Sequence, residues 1–289
     1  MIKSENEGIL YICGTPIGNL DDITLRALDI LKKVDLIAAE DTRHTKKLLN
    51  YYKINTPLTS YYEYNKFKKA PNLIEKIKSG LKIALVSNAG MPGISDPGDF
   101  LINLAIENDI KIIPIPGISA SITALVVSGL STNHFIFEGF LPRRSVERKK
   151  YFRKLEKEER TIIFYEAPHR LKKALKDMLN EWGDRKIAIA RELTKNYEEI
   201  IRGKLSQVLN KIDLRDIKGE ITLVVQGEIK QKKENAMNYS EKEYLLEENI
   251  KQLKHQGYSN KDIIKIAQEK FHISKNAIYK KLLEIKNSL

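Results

Sequence analysis

An α/β fold built on a largely parallel sheet is what this sequence predicts, and three observations predict it. Short apolar runs alternate with segments of helical spacing. Glycine- and proline-rich loops follow several of those runs directly. Beyond Gly227 the texture turns polar and then helix-forming, which marks a separate module.

In chain order, Ile-Leu-Tyr-Ile-Cys at 9–13 reads as a buried strand leading into the loop Gly14-Thr-Pro-Ile-Gly18. Residues 24–33 place Leu25, Leu28 and Leu31 at helical spacing. A second strand at 34–39 ends in Glu40-Asp-Thr-Arg43, and a helix over 45–52 follows. The strand at 82–87 opens into Asn88-Ala-Gly-Met-Pro-Gly-Ile-Ser-Asp-Pro-Gly98, the segment 100–108 is helical, and the strand at 111–115 ends at Pro116-Gly-Ile-Ser-Ala120. Ligands of open α/β sheets bind at the carboxyl ends of strands. The loops at 14–22, 88–98 and 116–120 therefore suggest one cleft, since glycine lets backbone approach a ligand and proline fixes loop shape.

A second α/β unit, with mixed strand directions, begins at Phe135–Phe137. It continues through Gly139-Phe-Leu-Pro-Arg-Arg144, a strand at 161–165 with its loop Glu166-Ala-Pro-His-Arg170, a helix at 171–181 and a strand at 186–190 entering Arg191-Glu-Leu-Thr-Lys195. A strand at 220–225 closes it. The expected division is 1–117 and 118–228 for two α/β domains, 229–239 for a linker and 240–289 for a helical module. In that module Ser240, with Glu243 three residues on, forms a capping pattern, and Ser259 or Asn260 and Ser274 are caps for two further helices. Ile263, Ile266 and Ala267 lie inside one helix, and Ile278, Leu282 and Ile285 on one face of the next, a helix-turn-helix-like pair about Phe271-His-Ile273.

With 289 residues the chain has room for about two domains. The 50 Lys+Arg against 38 Asp+Glu give +12, which favours a polyanionic partner, unless the excess is only a lysine-rich habit of composition. A hydrophobic content of 42% argues against wholesale disorder. No apolar run is long enough for a membrane helix, the amino terminus is polar, and Cys13 is the only cysteine. The expected location is the cytoplasm, with no membrane partner. The G-x-G-x-x-G dinucleotide loop, the G-x-x-x-x-G-K-[ST] phosphate loop and the G-x-S-x-G elbow are missing, and the five histidines do not pair at metal-ligand spacing.

Taken together, Gly14-Thr-Pro-Ile-Gly-Asn-Leu-Asp-Asp-Ile-Thr24, Ala39-Glu-Asp-Thr-Arg43, the 87–98 loop and Pro116-Gly-Ile-Ser-Ala120 look like the amino-terminal signature of one family. Gly139-Phe-Leu-Pro-Arg143, Phe164-Tyr-Glu-Ala-Pro-His-Arg170, Arg191-Glu-Leu-Thr-Lys195 and Lys218-Gly-Glu220 continue it in order. The chain resembles the ribosomal RNA small-subunit methyltransferase I group, a branch of the tetrapyrrole methylases, over about residues 8–228. The resemblance implies two α/β/α domains with S-adenosylmethionine in the cleft between them, and a homodimer. It implies methyl transfer to the ribose 2′-oxygen of a cytidine in the decoding region of small-subunit rRNA, as naked RNA or in the assembled subunit. It also points to Pro16, Gly90, Met91, Pro92, Ile94, Ser119 and Ala120 as cofactor contacts, and across the cleft to Tyr165, Glu166, Ala167, Leu193, Glu220, Ile221 and Thr222. Asn88 and Met91 depart from the family's usual Ser-Asp-Ala-Gly-Thr-Pro, and Tyr197 stands where His is frequent.

Methyl transfer from a sulfonium needs an in-line acceptor and help in removing the hydroxyl proton. Glu40, Asp41 and Arg43 put two carboxylates and a guanidinium at one strand end, with Asp41 the candidate base and Arg43 a phosphate or alkoxide contact. The plain structural reading of the cluster is an ion pair that shapes the loop. Asp22 and His169 are the alternatives for the base. For RNA, residues 142–160 hold nine Lys+Arg and four Glu, among them Arg143, Arg144, Arg148, Lys149 and Lys150; a solvated helix is the plain alternative. The tail from 229 carries 13 Lys and 8 acids, with Lys275, Lys280 and Lys281 in or near its last helix as auxiliary contacts. Two rival readings stay open: a methylase of a small tetrapyrrole, and a DNA-binding regulator whose α/β part senses a ligand.

Overall fold

Five short runs of Val, Ile, Leu and Ala form the first sheet because both of their faces find helices to bury against. In the computed structural model, which describes residues 7–213, 215–229, 239–271 and 273–286, these are β1 (Ile9–Cys13), β2 (Leu36–Ala39), β3 (Leu58–Ser60), β4 (Lys82–Val86) and β5 (Lys111–Ile115). They pair in parallel in the order β3-β2-β4-β1-β5. Side chains alternate across the sheet. Leu10, Ile12, Ile83 and Leu85 pack on α3 (Lys66–Lys78) and α4 (Gly98–Glu107), while Cys13, Ile37, Ala39 and Val86 pack on α1 (Leu25–Lys33) and α2 (Thr42–Tyr51). Thr24 caps α1 through Ala27 N–H, and Asp41 caps α2 through Arg43 N–H, so α2 starts three residues before the sequence suggested.

The second sheet runs β6-β7-β10-β8-β9, comprising β6 (Phe135–Phe140), β7 (Thr161–Glu166), β8 (Lys186–Arg191), β9 (Glu199–Lys204) and β10 (Ile221–Val225). Its directions are mixed as expected: β6 and β7 are parallel, and every other pair is antiparallel. One face buries Phe152 of α6 (Ser145–Lys154), Leu171, Leu175 and Trp182 of α7 (Pro168–Trp182), and Leu205, Val208 and Ile212 of α8 (Leu205–Asp213). The other face meets Ala124 and Leu125 of α5 (Ala120–Ser128), together with Ile17 from the loop after β1. Ile17 thus keys the first sheet's loop into the second sheet's core.

The sequence reading assigned nothing to β3, α3, α5, β9 or α8. Arg148, expected from the sequence to contact RNA, is instead buried in the fold. Arg148 is 2% exposed, its Nε lies 3.0 Å from Asp177 Oδ2, and its Nη1 donates to the Pro142 and Arg143 carbonyls. Its charge is spent pinning α6 to α7.

The chain divides after Ile229, and the second unit stands by itself as three helices: α9 (Tyr239–His255), α10 (Asn260–Phe271) and α11 (Lys275–Lys286). Leu246, Ile250, Ile263, Ala267, Ile278, Leu282 and Ile285 form its core. Ser259 and Ser274 cap α10 and α11 through the N–H groups of Asp262 and Ala277. Ser240 falls just inside α9 rather than ahead of it. Most of the expected 229–239 linker, the polar residues 1–6, the side chain of Glu243 and His272 lie outside the described residues. No helix among the described residues is long and apolar enough to cross a membrane.

Candidate active site

The parallel strands of the first sheet deliver their loops to one edge, and there the loops interlock. Thr15 and Gly90 exchange backbone hydrogen bonds of 2.9 and 3.0 Å, and Thr15 Oγ1 donates to the Ser87 carbonyl at 3.1 Å. Gly14 and Gly117 pass so closely that a Cβ on Gly14 would lie 2.7 Å from Gly117 Cα. No other residue fits that crossing. From the second sheet, Thr194 Oγ1 accepts from Asn19 N–H at 2.9 Å. Lys195 reaches both Glu192 and Glu220 at 2.9 Å. Burial works to lower the Lys195 ammonium's pKa, but its hydrogen bonds to Glu192 and Glu220 outweigh that and raise it.

Two adjoining cavities result. The first, about 380 Å³, is walled by the 87–96 loop and Ser119-Ala120 on one side and by Phe140, Tyr165–Pro168 and Gly219–Thr222 on the other. Its volume suits a small ligand (roughly 300–1,000 Å³ is usual). The β7–β10 register makes its far wall, since it sets Glu166 opposite Ile221 and Tyr165 opposite Thr222. The second, about 490 Å³, is lined by Thr15–Gly18, Asp41, His44, Lys47 and Lys195 among others. Ile17, Ser87, Asn88, Ala89 and Glu220 border both.

Glu166 is the outstanding group of the first cavity. Its side chain is buried, and Oε1 takes both local donors: Arg170 Nη2 at 2.5 Å and Ala167 N–H at 2.6 Å. Oε2 is buried with no hydrogen-bond partner. A buried carboxylate oxygen left without a donor is costly, and a ligand donor would relieve that cost. Asp96 closes the opposite wall by accepting from Gly93 and Gly98 N–H at 2.7 and 2.9 Å. Burial raises its carboxyl above the ordinary value, against those two hydrogen bonds.

At the junction of the cavities Glu40 and Asn88 brace each other's strands. Glu40 Oε2 accepts from Asn88 N–H at 3.0 Å, and Asn88 Oδ1 accepts from Asp41 N–H at 3.1 Å. Arg43 grips the exposed Asp41 carboxylate through Nε at 3.2 Å and Nη2 at 2.9 Å. Those hydrogen bonds, with the Arg43 N–H, hold Asp41 down at about 2.

Of the sequence candidates for the cofactor, Gly90, Met91, Ile94, Ser119, Ala120, Tyr165, Glu166, Ala167, Glu220, Ile221 and Thr222 all line the first cavity. Pro16 lines the second, and Pro92 and Leu193 line neither; Leu193 packs with Ile17 in the core beneath. Glu40 borders the first cavity and Asp41 the second. Asp22 and His169 line neither, His169 being exposed on the first turn of α7. Asp96, Ser95, Phe140, His44 and Lys47 also line the cavities and escape sequence reasoning, although Asp96 and Ser95 lie in the loop the sequence marks by its glycines and prolines.

Two sheets meeting at such a cleft also make up a known two-domain architecture. The solved structure of diphthine synthase superposes with a TM-score of 0.57 over 76% of this chain and 90% of its own, at 15% identity, which speaks to fold alone. The family described as Tetrapyrrole (Corrin/Porphyrin) Methylases matches residues 9–209. Ribosomal RNA small subunit methyltransferase I of Bacillus subtilis is 46% identical over 272 residues, covering 94% of this chain and 93% of its own. Its namesake from Halalkalibacterium halodurans is 51% identical over 225 residues, covering 78% of each. The chain belongs to the ribosomal RNA small subunit methyltransferase I family, within the tetrapyrrole methylases.

Proposed function

We propose that this protein uses S-adenosylmethionine to methylate the ribose 2′-hydroxyl of a cytidine in the decoding region of small-subunit rRNA. The observation that carries the reading is the pair of adjoining cavities of unlike chemistry. The first offers apolar walls and backbone polar groups, with the unpartnered Glu166 Oε2 buried in its lining, which fit a cofactor with an adenosine and an ammonium group. The second carries His44, Lys47 and Lys195 and fits a nucleotide with its phosphates. The names of the relatives support the same substrate class.

When bound, S-adenosylmethionine supplies a methyl group on a positively charged sulfur. The chain's own part is to hold the acceptor in line with it and to take up a proton. Glu166 accepts from the cofactor, and the Gly90–Met91 turn and Ile221-Thr222 close on it from either side. Arg43 holds Asp41 as a weak base, so the proton acceptor is assigned to Glu40, which borders the first cavity at the junction. Residues 1–117, joined by Ser119 and Ala120, supply one wall, and the rest of 118–228 supplies the other. Arg143, Arg144, Lys149 and Lys150 lie at or near the surface around the start of α6 and contact RNA phosphates, with exposed Lys275 and Lys280 as auxiliary contacts. The protein works in the cytoplasm as a homodimer.

Labelled S-adenosylmethionine tests this with naked rRNA and assembled small subunits from cells lacking the protein, and with a metabolite fraction. The expected result is label at one cytidine that blocks alkaline cleavage there. Label only in the metabolite fraction would replace RNA by a small acceptor, and no label with cofactor bound would remove the catalytic reading.

A further inference from the structure

The segment just after β3 presents aromatic rings that the fold does not use. Tyr61 is 1% exposed and its hydroxyl donates to the Pro97 carbonyl at 3.3 Å, so it anchors the segment to the loop that walls the first cavity. The next rings turn outward: Tyr62 is 40% exposed, Tyr64 93% and Phe67 68%. They are held rather than loose. Asn65 Oδ1 accepts from Tyr62 N–H at 2.9 Å, and Asn65 Nδ2 donates to Ser60. The Tyr62 and Tyr64 rings stand edge to face with centroids 6.4 Å apart, and Phe67 meets Phe100 of α4 at 4.9 Å.

Exposed aromatic rings lose favourable burial unless something covers them. Charge indicates what does. Residues 60–69 carry Lys66, Lys68 and Lys69 against Glu63 alone, and the only exposed large apolar side chains there are aromatic. Rings interleaved with cations are the pattern that holds an unpaired nucleic-acid strand, each ring stacking a base while cations follow the phosphates. The β3 carboxyl end also lies at the same edge of the parallel sheet as the loops that build both cavities.

We infer that Tyr62, Tyr64 and Phe67, with Lys68 beside them, form a stacking platform for unpaired nucleotides flanking the methylated one. The platform rests on the RNA reading of the two cavities. It holds the strand in an unpaired form, so that the target ribose enters the second cavity already free of its helix. Its contribution is sequence-tolerant, and specificity for one position comes from elsewhere.

The test uses the full chain and naked small-subunit rRNA from cells lacking the protein. Tyr64→Ala, at a nearly fully exposed site, is expected to weaken RNA binding roughly 5- to 150-fold, the range for losing one stacked base. Tyr64→Phe keeps the ring and stays within about twofold of wild type on the same reasoning. The slope of binding against salt stays unchanged in Tyr64→Ala, because stacking releases no counterions. S-adenosylmethionine affinity and oligomeric mass are also unchanged. Wild-type RNA affinity in both Tyr64→Ala and the Tyr62→Ala/Tyr64→Ala double variant overturns the platform. So does a changed oligomeric mass with unchanged RNA affinity, which would make the rings a contact between copies. If the wild-type protein itself neither binds nor methylates rRNA, the functional reading fails first. If wild type methylates and the variants match it, only the platform fails.

Discussion

Glu166→Gln separates cofactor recognition from folding. In the protein as it stands Oε1 accepts from Arg170 at 2.5 Å and from Ala167 N–H at 2.6 Å, while Oε2 is buried without a partner. Glutamine keeps the shape, and its carbonyl oxygen still accepts both local bonds. Its amide nitrogen then replaces Oε2 and presents hydrogens where a ligand donor must arrive. A hydrogen bond to a charged group contributes about 1.5–3 kcal/mol, so the dissociation constant for S-adenosylmethionine or S-adenosylhomocysteine should rise about 10- to 150-fold. Glu166→Ala should do more harm to the fold, because it also removes the oxygen that accepts from Arg170 and Ala167 N–H, at a cost of about 3–5 kcal/mol. Titration calorimetry reads the first effect and thermal unfolding the second. Glu166→Gln binding within twofold of wild type would refute the assignment of Oε2 to the cofactor.

Three further outcomes follow from single side chains. Asp41 sits at about 2, below the ordinary carboxylate value, so its ion pair stabilises the fold above that ordinary value and the stabilisation is lost as pH falls through the folded value. The gap in Tm between wild type and Asp41→Asn, which keeps a capping residue, should stay constant above about pH 5 and close between about pH 4 and 2; a gap that widens on acidification contradicts this. Arg148→Ala should destabilise by about 1.5–3 kcal/mol through the charged hydrogen bonds lost to buried Asp177, which keeps Ser145 and Lys149, whereas Lys150→Ala should leave Tm alone and reduce the salt slope of RNA binding by about one. Cys13 is fully buried and burial pushes its thiol up to about 12, so the folded protein should not react with Ellman's reagent at pH 8 until denatured.

What was legible in the sequence was what burial writes into composition. β1, β2, β4, β7, β8 and β10 are near-continuous apolar runs because helices cover both faces of their sheets. β3 and β9 are edge strands, one only three residues long and the other burying only Ile201 fully, so neither stands out. α3 hides behind Pro71 and five lysines, although Ala70, Leu73, Ile74 and Ile77 keep helical spacing. The cofactor wall was legible through its glycines and prolines. Asp96 was not, because its role comes from accepting two N–H groups within its own loop, and no periodicity records that. Arg148 shows the converse: a run of cations reveals charge but not which member is buried.

Backbone is what shapes the cleft, and this explains how it tolerates residues that depart from the family's usual loop. The positions are fixed by Thr15–Gly90 pairing and by the Gly14–Gly117 crossing, neither of which needs a particular side chain at 88 or 91. Met91 lies at the edge of the core beside α4, with its sulfur nearest the spot where a Gly14 Cβ would fall, so it fills space rather than presenting a polar group. Asn88 keeps its side-chain bond to the loop after β2, Asp41 N–H donating to Oδ1, beside the backbone ladder that pairs β2 with β4. An aspartate there would accept the same bond but add a third carboxylate beside Glu40 and Asp41. The neutral amide therefore preserves the geometry of the junction while lowering its negative charge, at the place where a phosphate-bearing acceptor has to approach.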